Sequence, residues 1–391
     1  MATTGTPPRL GNADIAELTE WRRDLHRHPE LSGEEERTAA TVTAMLRDTA
    51  PDAIVSGLGG HGVAALYDSG IAGPRVLLRC ELDGLPIADL SGSAHRSTVA
   101  GKGHQCGHDG HMAILAAMAR LLGRARPAKG SVVLMFQPAE EDGSGANLVV
   151  NDPAFAPLQP DYAFAIHNMP GVAFGQVAVI AGPACCASRG VKFRLTGRTA
   201  HASQPETGLS PMVAVSKLMP ALTALANGSV ATSNPDFTLV TITHAEMGAP
   251  AFGVSPGEAQ VFATLRALTD AKMEALVAAA ETLAREIAAA EGLALEIAYD
   301  DIFVTCDNNP EAVAIVARAL DAIGVPHGPF SLPLRGSEDF GSFGKAASMA
   351  LMMLGAGEDS RALHNPDFDF PDDLIARGAE IYMSILREIL G

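Results

Sequence analysis

"GHQCGHDGHMAILAAMARLLG" (Gly103–Gly123) sets a thiol, Cys106, among His104, His108 and His111 and then runs straight into a helical pattern. The apolar positions that follow recur at helical spacing and Gly123 reads as a C-terminal stop, which predicts a helix over 109–122. An apolar run lies on either side, "VLLRCEL" (76–82) before it and "SVVLMF" (131–136) after it. Short unbroken apolar runs of this kind read as strands buried on both faces, so the stretch belongs to an α/β sheet.

Working outward, "YAFAIH" (162–167) and "MALMML" (349–354) read as further strands of that sheet. Ile15, Leu18, Trp21 and Leu25 follow helical spacing over 14–26, and Pro29 stops that helix. Further helices fit 34–47, 310–323 and 371–390. The middle of the chain differs. It gives a strand "GVKFRLTG", a helix near 210–226, strands "FTLVTITHAE" and "EAQVFATLRA", an alanine-rich helix over 270–290 and a strand "ALEIAYD". That order is βαββαβ, the ferredoxin-like arrangement. The chain therefore divides into a first segment, 1–187, an inserted domain, 188–299, and a second segment, 300–391, that completes the first.

Composition narrows the function. The 391 residues suffice for two domains, and 47% hydrophobic with 19% charged content is globular. Lys plus Arg is 28 and Asp plus Glu is 45, a net charge of −17 with no basic run, which argues against nucleic-acid binding. No apolar stretch has membrane-spanning length, and the first residues lack a secretory pattern, so the expected location is the cytoplasm. Cys80, Cys106, Cys185, Cys186 and Cys306 are odd in number and irregularly spaced, which does not read as a disulfide framework.

Sites in open α/β sheets form beyond the C-terminal ends of strands. Four strand ends here carry ligand-type residues: Glu81 and Asp83, Glu140 and Glu141, His167, and His364 in the following loop. Cys106, His108, Asp109 and His111 join them at a helix start. Each alone has an ordinary structural reading, but together they point to a metal centre. Thiolate, imidazole and carboxylate suit zinc, manganese, nickel or cobalt, and there are too many donors for one tetrahedral ion. Two metals sharing a bridge would use them, and a carboxylate that is not a ligand would then move the proton. Adjacent Glu140 and Glu141 divide those two tasks.

"WRRDLHRHPELSGEE", "RCELDGLPI", "QCGHDGH", "FQPAEE", "HNMP", "GRTAHASQPETG", "GSEDF" and "LHNPDFDF" occur in order along nearly the whole chain. Together they resemble the aminoacylase/carboxypeptidase metallopeptidase superfamily, in the branch of hippurate hydrolases, N-acyl-amino-acid amidohydrolases and plant auxin-conjugate hydrolases. The resemblance implies a di-metal exopeptidase-like α/β/α catalytic domain with an inserted ferredoxin-like lid and dimerisation domain. It implies a metal-dependent amidohydrolase that splits N-acyl amino acids or similar small amides into a carboxylic acid and an amine. It makes Cys106, His108, Glu141, His167 and His364 the ligands of two divalent ions, with Cys106 bridging. Glu140 becomes the general acid/base, Asp83 the residue that orients a ligand, and His201 a histidine that reaches the scissile carbonyl. Arg266, Gly336 and Ser337 fall on the substrate side. A homodimer through the inserted domain is implied, with a small-molecule substrate and neither nucleic acid nor membrane as partner.

Three positions depart from the family pattern. Glu81 stands where aspartate is usual, Gly253 in "FGVSP" where an asparagine holds the substrate carboxylate, and Arg335 where an apolar residue is common. Other readings compete: a dipeptidase or carboxypeptidase of the same superfamily, a thiol redox protein using Cys106, or a non-catalytic metal-binding scaffold. Asp109 reads as a helix cap or a partner of a ligand, and His111 as a neighbour of the ligands. His26, His28, His61, His95, His104, His244 and His327 read as structural or surface residues.

Overall fold

In a computed structural model, which describes residues 9–227, 232 and 234–391, the four apolar runs are neighbouring strands of one sheet. Ser131–Gln137, Arg75–Glu81, Tyr162–Pro170 and Ser348–Gly357 lie side by side and run parallel. Every residue of Ser131–Gln137 is buried, as a strand covered on both faces requires. A hairpin, Ala53–Leu58 with Gly62–Asp68, extends one edge antiparallel. Short strands at Val177–Ala178 and His327–Gly328 extend the other, making eight in all. The hairpin is absent from the sequence reading. Glycines 57, 59 and 60, all with positive φ, interrupt its alternation.

Three helices matter for the site: α1 (Asn12–Arg27), α2 (Glu36–Arg47) and α3 (His108–Arg124). α3 is buried along almost its whole length. It does not end at Gly123, as the sequence reading has it, but at Arg124. Gly123 is there for packing: a Cβ would stand 2.5 Å from the Thr49 carbonyl oxygen. α2 begins at Glu36 rather than Glu34, and the last helix is Leu374–Leu390, because Pro371–Asp373 form a turn. The central sheet and these helices belong to one compact unit, composed of the chain up to Ala184, Cys306–Leu332 and Asp339–Gly391.

A second unit consists of Cys185–Thr305 and Pro333–Glu338. Its antiparallel sheet has the order Thr238–Met247, Glu258–Ala267, Ala187–Thr196, Ala294–Phe303. Helices Met212–Thr223 and Asp270–Ala290 cover one face, where Val191, Phe193, Leu195, Val261 and Leu265 meet Leu218, Met273 and Leu276. This is the ferredoxin-like βαββαβ arrangement. Residues 188 and 299 fall inside the unit, not at its edges. Pro333–Glu338 joins it from far downstream, since the Cys186 N–H donates to Leu334 O at 3.2 Å and Gly336 O at 3.1 Å. Among the described residues no helix is long and apolar enough to cross a membrane.

Candidate metal centre

Parallel strands bring their C-terminal ends to one side of a sheet. Glu81 and Gln137 are register partners there, and His167 pairs with Met353. The sequence then makes each end turn sharply. Gly107, at φ 94, precedes the first residue of α3 and turns His108 inward. Ala139, at φ 51, precedes the two glutamates, and His364 itself sits at φ 64. The His364 N–H donates to the Gln105 carbonyl at 2.9 Å, which ties its loop to the loop carrying Cys106.

The side chains converge. Cys106 Sγ lies 3.4 Å from His167 Nε2. His108 Nε2 lies 3.8 Å from Glu140 Oε2 and 3.7 Å from Glu141 Oε1. His364 Nε2 lies 3.8 Å from Glu141 Oε2. Three overlapping groups, Cys106/His108/His167, Cys106/Glu141/His364 and His108/Glu140/Glu141, each have their donor atoms within 4.8 Å of one another. Cys106, His108, Glu141, His167 and His364, the five residues expected as ligands, thus lie close together, with Glu140 beside them.

Both buried histidines have a committed nitrogen. His108 Nδ1 donates to the Asp83 carbonyl at 2.9 Å, with the Asp83 carboxylate 3.3 Å away. Its Nε2 is buried and has no hydrogen-bond partner among the described residues. His167 Nδ1 donates to the Asn168 carbonyl at 2.7 Å and leaves Nε2 facing Cys106. An imidazole held by one nitrogen, with the other aimed at carboxylates and a thiol, fits a metal ligand. The Asp83 Oδ2 atom also accepts the Glu141 N–H at 2.9 Å, so one aspartate steadies two of the candidate donors.

The surroundings shift the titrating groups of the site in opposite directions. Burial opposes charge on His108, but Asp83, Glu81 and Glu141 outweigh it and lift the imidazole to about 10. Burial, aided by His111, drops His167 to about 3. Burial and then Glu141 and Glu140 push the Cys106 thiol well above its ordinary value. A reactive redox thiol needs the opposite surroundings. A cluster this rich in carboxylate reverses that bias once a divalent cation sits in it.

Glu81 forms a further group with His108 and His111, whose donor atoms also lie within 4.8 Å of one another. Its carboxylate accepts from His111 Nδ1 at 2.6 Å and pairs with Arg79. Arg79 is wholly buried and also binds Asp339 at 2.6 Å and Gln137 at 2.8 Å. His111 lies with His108 and Glu81 in that group, and its Nε2 is 2.6 Å from Asn168 Oδ1. Asp109 is neither cap nor partner of a ligand. Its carboxylate turns the other way, to Arg22 at 3.0 Å and His26 at 2.8 Å. His104 is buried with neither ring nitrogen hydrogen-bonded among the described residues, and burial lowers it to about 4. Sequence reasoning missed Arg79, Gln137, Asn168 and Asp339. The signal was a lone arginine inside an apolar strand run.

The remaining candidates lie in the second unit. His201 is exposed on a short ribbon opposite Val254, with Nδ1 accepting the Ser203 N–H at 3.1 Å. Arg266 Nη1 donates to Ser337 Oγ at 2.8 Å and to Arg335 O at 3.0 Å. Gly336 lies between those two residues, so three expected substrate residues do meet. A Cβ at Gly253 would have nothing within 4 Å, so packing does not impose the missing side chain.

The model of peptidase family M20/M25/M40 matches residues 77–388. A hippurate hydrolase of Campylobacter jejuni is 29% identical over 376 residues, 96% of this chain and 97% of that protein. An IAA-amino acid hydrolase of Arabidopsis thaliana is 29% identical over 385 residues, 94% of this chain and 84% of its own length. The crystal structure of a Bacillus subtilis protein described as a dinuclear metal binding peptidase of the M20 family shares the fold. It has a TM-score of 0.81 at 24% identity, covering 97% of this chain and 99% of that one.

Proposed function

The chain belongs to peptidase family M20/M25/M40 and is a metal-dependent amidohydrolase; from that premise we propose that it hydrolyses N-acyl amino acids at a two-metal centre held by Cys106, His108, Glu141, His167 and His364. The observation that carries the site is His108. Its Nδ1 is committed to Asp83, and its buried Nε2 faces Glu140 and Glu141.

Two divalent ions there would polarise the acyl carbonyl and lower the pKa of water to about 7. The chain supplies the rest. Asp83 fixes the His108 ring and the Glu141 backbone together. Cys106 belongs to one donor group with His108 and His167 and to another with Glu141 and His364, so its thiolate would be the donor shared by two ions. Glu140 takes a proton from the attacking water and returns it to the departing amine. Within the second unit, His201, Arg266, Gly336 and Ser337 are the proposed substrate-side residues. Zinc, manganese, nickel and cobalt all suit the mixed donors. The same reading makes the protein a cytoplasmic homodimer that associates through the second unit.

A dipeptidase or carboxypeptidase differs only in the acyl half of the substrate. Metal-stripped protein reconstituted with each of these ions, and screened by amine release against N-acetyl amino acids, N-benzoyl amino acids and dipeptides, decides between them. Release from the N-acyl compounds is expected. Release from dipeptides alone would overturn the substrate assignment.

A further inference from the structure

We propose that Glu35, together with Ser32, is a positioning residue that sets the Glu140–Glu141 pair. The link between α1 and α2 docks on the strand end: the Gly84 N–H donates to Glu30 O at 2.8 Å, and Leu31 bridges Gly84. Two side chains then reach inward. Ser32 Oγ donates to Asp83 Oδ2 at 2.8 Å, the same oxygen that accepts the Glu141 N–H. Glu35 Oε1 accepts the N–H of Ala139 at 2.7 Å.

Ala139 is the hinge of the matter. Its φ of 51 lies in the left-handed region, which is unfavourable for a non-glycine residue. Something must hold that turn, because it decides where the next two side chains emerge. The loop is also tight: the Gly145 N–H donates to Ala139 O at 2.9 Å, and a Cβ on Gly145 would stand 1.6 Å from Pro138 O. Glu35 clamps the turn from the other side. It is fully buried and forms no ion pair among the described residues. A buried carboxylate without a cation is costly for stability. Placed on the one strained N–H beside the two glutamates, it serves their geometry. Burial, with the nearby Asp83 charge, raises the Glu35 carboxyl, so a neutral amide of the same shape can accept the same N–H.

The inference rests on Glu141 as ligand and Glu140 as proton carrier, and its test separates the two. Zinc is titrated into metal-stripped protein, and kcat and KM are measured on whichever N-acyl amino acid the wild type cleaves. Glu35→Ala is expected to weaken zinc binding and to lower kcat by about 10- to 100-fold each, with KM within about twofold. Glu35→Gln retains most of both. Glu35→Ala combined with Ala139→Gly recovers part of the loss, since glycine adopts the turn without a clamp. Wild-type zinc affinity and kcat in Glu35→Ala, or a Glu35→Gln variant as impaired as Glu35→Ala, overturns the proposal. If Glu35→Ala does not fold, Glu35→Asp takes its place, being one methylene short; wild-type values there overturn it equally. Failure of the underlying assignment reads differently, as a Glu141→Ala variant that still binds two zinc ions.

Discussion

His108 shows how a single residue acquires its role. A left-handed glycine starts the helix, an aspartate takes one ring nitrogen, and the other faces two carboxylates. The candidate donors were legible as a group because each stands at a strand end or a helix start in a short motif. Asp109 was misjudged because position predicts a cap, whereas Arg22 and His26 from α1 claim its carboxylate. Glu35 and Asp339 were illegible for the same reason: their partners are distant in sequence. At this scale the test falls on Cys106, which is 3.4 Å from His167 and within reach of Glu141 and His364. A Cys106→Ser variant is expected to lose metal and activity together, measured by elemental analysis and amine release. Full metal with full rate would refute a bridging thiolate.

Among the elements, α3 is buried along almost its whole length and carries His108. Its periodicity and its flanking strands were plain in the sequence. Its end was not, because a glycine in the last turn serves as a stop or as a contact, and only the neighbour decides. Here the neighbour is Thr49 O, 2.5 Å from where a Cβ would be. Gly123→Ala is therefore expected to destabilise the fold by about 1–3 kcal/mol, seen in a denaturant midpoint with unchanged slope. A neutral or stabilising substitution would mean that the glycine is a cap after all. The edge hairpin was missed because positive-φ glycines break the alternation that marks a strand.

For the whole molecule, the two-part architecture followed from a change of pattern, from buried parallel strands to βαββαβ. The transfer of Pro333–Glu338 to the second unit had no local signal, since it depends on backbone hydrogen bonds to Cys186. Global stability carries a pH signature from His26. Burial lowers this group, but Asp109 and Asp89 outweigh it and raise it from 6.5 to about 9. Its folded value lies above its unfolded one, so its contribution, roughly 1–3 kcal/mol, is complete below pH 6.5 and fades as pH rises through about 9. Unfolding free energy is expected to fall across that window in wild type, and the slope to flatten in His26→Asn. An equal slope in both would assign the alkaline loss to other groups.

The proposed division of labour between two adjacent glutamates is the core of the proposed mechanism, and one paired measurement addresses it. Metal per chain and turnover are determined side by side for Glu140→Gln and Glu141→Ala. Glu140→Gln is expected to keep its two metal ions and to lose about 100-fold or more in kcat, while Glu141→Ala loses metal as well as rate. A Glu140→Gln variant that turns over at the wild-type rate, or a Glu141→Ala variant with a full metal complement, would contradict the assignment.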